Sequence, residues 1–337
     1  MRYVSIDNVI PGMIVGKSIY NESGNVLVNY RVKLTKSLIK RMQEIGLPGL
    51  YIEDSLSEDI TIEDLISDEL EIKATKALQK IDIDAALDVA NDITDELCMN
   101  RDVSLNLTSL RTNSDYTYKH SVNVAILSVI TGIGIGLKKS MLKELATAGL
   151  LHDIGKLNIP LEVLDKDGPL NEEEYGLVKK HSEYGYEKIK NNINISSKTK
   201  MGVYSHHENL NGTGYPLGLL NDQIYMFAKI IHIADVYDAI TSERSYKHAK
   251  PPADAIEFIV NNAGTMFEEN YVKAFLTYIP IYPKGRNVIL STGETAIVVE
   301  NRQKNTMRPI IRKLDGTTID LLDEANEDIQ ITALEPM

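Results

Sequence analysis

The chain has 337 residues, 43% of them hydrophobic, and a formal net charge of −12, which leaves room for a sizeable core and for more than one domain. That charge argues against a general nucleic-acid binder, whose basic face must displace counterions. The single cysteine, Cys98, can form neither an internal disulfide nor a thiolate zinc cage, so any metal must be held by nitrogen and oxygen.

Residues 1–54 mix short β-like runs, Met13 to Tyr20 and Val26 to Val28, around the turn "NESGN" with a helix pattern from Lys36 to Ile45. They read as a small α/β module. Residues 55–100 are acidic and free of Gly and Pro, with apolar residues at helical spacing (Ile62, Leu65, Ile66, Leu70, then Ala86, Val89, Ala90, Ile93, Leu97). They predict amphipathic helices that pack on the next domain or form the seam of a homodimer. Residues 101–281 are helix-like almost throughout. From 282 to 337 short β runs, "NVIL", "TAIVVE", "RPIIRKL" and "TTIDL", alternate with the turns "STGE" and "LDGT", which suits a small β-barrel-like module. The longest apolar run, Val124 to Leu137, is shorter than the ~20 residues that cross a bilayer and reads as a core helix. With no signal-like amino terminus, the expected location is the cytoplasm.

All seven histidines fall between His120 and His248, inside the helical region. Their settings are "YTYKHSVNVA" (His120), "AGLLHDIGKLNIP" (His152, Asp153), "VKKHSEYG" (His181), "YSHHENLNGTGYP" (His206, His207) and "IIHIADVYDAITSERSYKHA" (His232, Asp235, Asp238, His248). The helix pattern from Met141 to Leu151 delivers His152 and Asp153 at its end. A hydrophobic helix from Met226 to Thr241 carries Asp235 and Asp238 three apart on one face. Carboxylates on a buried helix are costly unless paired or bound to a metal, and several helices presenting N and O ligands to one centre is how helical bundles build dinuclear sites. Taken singly, His232 reads better as a structural residue and His248 as a surface one, and Asp238 could pair with Arg244.

The segment from about Thr117 to Lys247 resembles the HD-GYP family of the HD phosphohydrolase superfamily, through "HDIGK", "HHE" followed by "GTGYP", and "IIHIADVYDAITSERSYKHA". The resemblance implies a mainly α, HD-type helical bundle that hydrolyses cyclic di-GMP to pGpG, with a second cut to GMP open. It makes His120, His152, Asp153, His181, His206, His207 and Asp235 the metal ligands, with Asp153 bridging. It gives Lys156 the scissile phosphate, and puts Tyr215, Asp238, Arg244 and Lys247 at the substrate. Some members hold a third metal with a Glu at the position of Tyr116, so two divalent ions are expected here, iron or manganese. The usual Asp before the GYP turn is Asn211, which keeps the tolerance for a left-handed turn. The GYP loop is also implicated in contacting diguanylate cyclase domains. Two other readings compete: a catalytically weak cyclic di-nucleotide receptor, and a phosphodiesterase for the mixed cyclic GMP-AMP.

Overall fold

The computed structural model describes residues 1–20, 25–62, 64–99, 116–242, 250–302 and 305–335, and the chain divides into two units. The first unit takes residues 1–64 and 277–337, and the second takes 65–102 and 116–276.

In the first unit, β1 (Arg2–Ser5), β2 (Ile14–Val15), β3 (Ile19–Tyr20), β4 (Val26–Val28), α1 (Lys36–Glu44) and β5 (Gly49–Glu53) make the amino-terminal part. The helix begins where the Thr35 hydroxyl accepts the Leu38 amide at 3.3 Å, an N-cap that satisfies one of the four orphan N–H groups. Strands β1, β5 and β2 form an antiparallel sheet over a core of Val15, Ile19, Leu34, Leu47 and Leu50. The carboxy-terminal part is β6 (Asn287–Leu290), β7 (Thr295–Arg302), β8 (Asn305–Lys313), β9 (Thr318–Asp320) and β10 (Ile331–Leu334). Where a barrel-like module was expected, these strands form one five-stranded antiparallel sheet in the order β10-β6-β7-β8-β9.

The period-2 alternation of β7 explains why the two ends of the chain share a unit. Ala296 and Val298 point into the sheet's own core, while Ile297 between them joins Tyr3, Tyr51, Ile60 and Ile62. Arg312 adds a bidentate pair to Asp59 at 2.6 and 2.7 Å, and the Tyr3 amide donates to the Gly285 carbonyl at 2.8 Å.

The second unit is helical: α2 (Asp68–Gln79), α3 (Ile83–Met99), α4 (Tyr116–Gly134), α5 (Lys139–Leu151), α6 (Leu161–Leu164), α7 (Glu172–Lys179), α8 (His181–Ile189), α9 (Ser197–Ser205), α10 (Met226–Thr241), α11 (Pro252–Asn261) and α12 (Glu269–Tyr278). The acidic helices α2 and α3 pack on α4 and α5, the first of the two alternatives their amphipathic pattern left open. At its centre α4 buries Val122, Val124, Ala125, Ile126 and Leu127. It meets α5 at Gly149, where an added Cβ would stand 2.7 Å from the Cα of Ala125. Helix α10 is buried through Phe227, Ile230, Ile231, Ile233 and Ala234. No helix among the described residues is long and apolar enough to cross a membrane.

Candidate metal centre

Five elements converge on one buried point. Helix α4 contributes His120, the end of α5 contributes His152 with Asp153 just beyond it, α8 begins at His181, α9 ends into His206 and His207, and α10 brings Asp235. All seven residues expected as metal ligands are thus brought together. The side chains of His120, His152, Asp153 and His181 are at most 2% exposed, and that of His207 is 21% exposed.

The hydrogen bonds fix the tautomers. His152 Nδ1 lies 2.8 Å from the Gly149 carbonyl, His181 Nδ1 2.6 Å from that of Val178, and His206 Nδ1 2.7 Å from that of Val203. A carbonyl only accepts, so each Nδ1 carries the hydrogen and each Nε2 presents a lone pair to the centre. The same i−3 geometry recurs three times because each ring folds back onto the helical turn that delivers it. On α4, His120 instead puts Nδ1 2.7 Å from Asp238 Oδ2, and Asn123 donates to Asp238 Oδ1 at 2.7 Å.

Several atoms are then left in need of a cation. His181 Nε2 and His206 Nε2 face each other at 3.2 Å with neither holding a hydrogen. His152 Nε2 and Asp153 Oδ1 are buried without a hydrogen-bond partner, a loss of about 1–3 kcal/mol for each such group. Two clusters have the donor atoms to hold a metal ion: His120, His152 and Asp153 in one, and His181, His206 and His207 in the other. Both carboxylates span them. Asp153 Oδ2 lies 3.3 Å from His152 Nε2 and Oδ1 lies 3.4 Å from His181 Nε2. Asp235 Oδ1 lies 3.0 Å from His120 Nε2 and Oδ2 lies 3.7 Å from His207 Nδ1. The donor set fits a metal ion, with ring orientations held by outer hydrogen bonds in the manner of metal-ligating histidines.

Protonation follows the same layout. Burial would raise the Asp153 carboxyl, but His152 beside it and the Lys156 ammonium hold it well below the usual carboxylate range. Burial would raise Asp235 too, but the hydrogen bond from His120 together with His207 and His152 holds it well below the usual carboxylate range. Burial, with the neighbouring histidines, drives His206 and His207 far below the ordinary imidazole value and keeps both neutral, as ligation requires. Burial acts to lower His120 too, yet its bonds to Asp235 and Asp238 raise it to about 9.

At the rim, Lys156 is 27% exposed with its ammonium 2.5 Å from Asp153 Oδ2, and Tyr215 stacks on the His207 ring at 4.6 Å. Asp238 needs a correction. Expected at the substrate, it is buried behind His120 with both oxygens engaged, so it orients that ring instead. His232 is buried against Phe267, ring centroids 5.0 Å apart, on the far side of His207. Asn211 keeps a negative φ and accepts from the Thr213 amide at 3.1 Å, while Gly212 takes the left-handed conformation with φ 78°. Arg244, Lys247, His248 and the Tyr116 side chain lie outside the described residues.

Two contributors carried no assignment from the sequence. Asn123 lies one turn beyond His120, a spacing that marks it as a neighbour on the same face. Glu208, only 2% exposed, accepts the amides of Leu217 at 2.7 Å, Gly218 at 3.1 Å and Leu219 at 2.9 Å. It thereby ties the stretch after the cis Tyr215-Pro216 bond to the segment carrying His206 and His207. A carboxylate directly after a ligand pair was its only signal.

Comparison with known proteins agrees with this geometry. Residues 110–270 match the family model described as HD domain. A Pseudomonas aeruginosa protein named cyclic di-GMP phosphodiesterase is 35% identical over 234 residues, covering 69% of this chain and 56% of that protein. A Vibrio cholerae protein named 3'3'-cGAMP-specific phosphodiesterase 3 is 34% identical over 170 residues, 50% of this chain and 37% of that one. The chain therefore spans little more than half the length of the first and less of the second. Among solved structures, a protein from Bdellovibrio bacteriovorus described as an HDG"Y"P protein superposes with TM-score 0.53 at 18% identity, covering 81% of this chain and 97% of its own, which supports the fold. The central segment of the chain, residues 110–270, thus matches the HD domain family, and its motifs resemble those of the HD-GYP branch.

Proposed function

We propose that the centre holds two divalent cations, iron or manganese, and hydrolyses a cyclic di-nucleotide, cyclic di-GMP to linear pGpG. The observation that carries this reading is the pair of carboxylates, Asp153 and Asp235, each turning one oxygen toward each histidine group. Five imidazoles and two carboxylates are a borderline-to-hard set suited to either metal. When bound, such ions supply an activated water and charge to stabilise the attacked phosphate.

The chain's own residues do the rest. His120, His152 and Asp153 would hold one ion and His181, His206 and His207 the other, with Asp153 and Asp235 shared between them. Lys156, part exposed on a flexible stem, can turn from Asp153 to a phosphate oxygen and place positive charge where negative charge grows. Tyr215 walls one side of the centre, pinned by its own amide on the His207 carbonyl at 3.1 Å and, beyond the proline, by Glu208. The exposed Leu217 and Leu220 of the same loop are where a diguanylate cyclase domain would dock.

The test is a substrate panel on anaerobically purified protein reconstituted with Fe(II) or Mn(II): cyclic di-GMP, the mixed cyclic GMP-AMP and a mononucleotide phosphodiester. Linear di-nucleotide from cyclic di-GMP at the highest kcat/KM supports the reading. Preference for the mixed cyclic molecule would reassign the substrate, and turnover of the mononucleotide alone would overturn it.

A further inference from the structure

One cation beside the centre is held in a way that packing does not require. Lys179, the last residue of α7, lays its ammonium 4.4 Å from the centroid of the Tyr175 ring one turn back and 5.5 Å from that of Tyr215. Among the described residues no carboxylate pairs with it, in a chain with 48 acidic residues against 36 Lys and Arg. Tyr215 in turn stacks on His207, with planes 28° apart, and Tyr175 is 48% exposed. A continuous ladder of ring, ring, cation and ring thus runs from a residue of the metal centre out to solvent.

We propose that Tyr175, Lys179 and Tyr215 form a nucleotide subsite, with Lys179 taking the phosphodiester that is not cut and the open face of Tyr175 stacking the neighbouring base. The inference rests on the cyclic di-nucleotide reading and says where the second half of that molecule lies. A ring on either side limits the rotamers of the long Lys179 stem, so less side-chain freedom is lost when an anion arrives. All three ammonium donors stay available, since a ring face engages the charge without a directed acceptor. An exposed tyrosine face accepts any base, because every base has a π-face. A purely structural lysine would be expected to pair with one of the many carboxylates.

The experiment compares steady-state cyclic di-GMP hydrolysis by the metal-loaded full chain with that of Lys179→Met, Lys179→Arg, Tyr175→Ala and Tyr175→Phe. Loss of a charge-assisted contact made equally in ground and transition states predicts a KM raised roughly 10- to 100-fold in Lys179→Met with kcat within about threefold. Lys179→Arg and Tyr175→Phe should restore most of the affinity, Tyr175→Ala should not, and all four should melt with the parent. Unchanged KM in Lys179→Met, or a loss confined to kcat, would overturn the subsite while leaving the phosphodiesterase reading intact. A metal-loaded parent that neither binds nor cleaves any cyclic di-nucleotide would overturn both.

Discussion

Replacing Gly155 by Ala tests how the centre is assembled without touching a ligand. Gly155 lies in the 3-10 turn Ile154–Asn158 that follows His152 and Asp153, and an added Cβ would stand 1.9 Å from the His181 carbonyl oxygen and 2.4 Å from the Gly185 amide nitrogen. Both neighbours are backbone of α8, so no side-chain rotation relieves the clash. Opening the first contact to even 3.0 Å moves the turn and α8 apart by at least 1.1 Å, the difference between those two distances. The same two segments carry Asp153 and His181, now 3.4 Å apart across the centre. Overpacking of this kind costs about 1–3 kcal/mol, and an ångström of misplacement costs roughly 100-fold in rate. The control is Gly176→Ala on α7, where the new methyl meets nothing within 4 Å and helix propensity predicts a gain of about 0.5–1 kcal/mol. Urea midpoints and metal per chain after chelation and reconstitution would be measured for both. A Gly155→Ala protein that matches the control in midpoint and metal content would refute the close-contact argument.

Three further outcomes are expected. Lys156→Ala should retain full metal content and lose about 100-fold or more in kcat, as removal of one stabilising cation does; loss of metal in that variant would count against its place at the phosphate. Glu208→Gln replaces one of the two accepting oxygens with an NH2 group, leaving at least one of the three backbone N–H groups without its acceptor, so the urea midpoint should fall by the equivalent of about 1–3 kcal/mol, and an unchanged midpoint would dismiss the loop tie. The hydrogen bond from Arg312 lowers the Asp59 carboxyl from 3.8 to about 2. The folded state thus binds that proton less readily than the unfolded chain, and the pair's contribution is complete above about pH 4 and lost as pH falls through about 2. In Arg312→Gln an NMR titration should return Asp59 toward 3.8; a value still near 2 would assign the depression to another group.

The sequence carried the centre further than the modules around it. Short motifs such as "HDIGK" and "HHE" mark the histidines and the family resemblance grouped them as one ligand set, while the helix Met226–Thr241 has the bounds its hydrophobicity implied. Asp238 was placed at the substrate by the family resemblance, and its three-residue spacing from Asp235 could not say which way its carboxylate turns. Only the coordinates show that its carboxylate meets the Nδ1 edge of His120. Glu208 was invisible for a related reason: its partners are backbone amides, which every sequence has. The grouping of chain ends into one unit depends on pairings such as Ile297 with Tyr51 and Arg312 with Asp59, contacts across more than 240 residues that no local pattern encodes.

The central claim is that Asp153 joins two metal-holding histidine groups into one hydrolytic centre. The most direct measurement is metal per chain together with cyclic di-GMP turnover, for the anaerobically reconstituted parent and for Asp153→Ala. The account predicts two divalent ions and linear pGpG from the parent, and a variant that stays folded with less metal and no product. An Asp153→Ala protein that keeps two ions and cleaves cyclic di-GMP at the parent rate would contradict it.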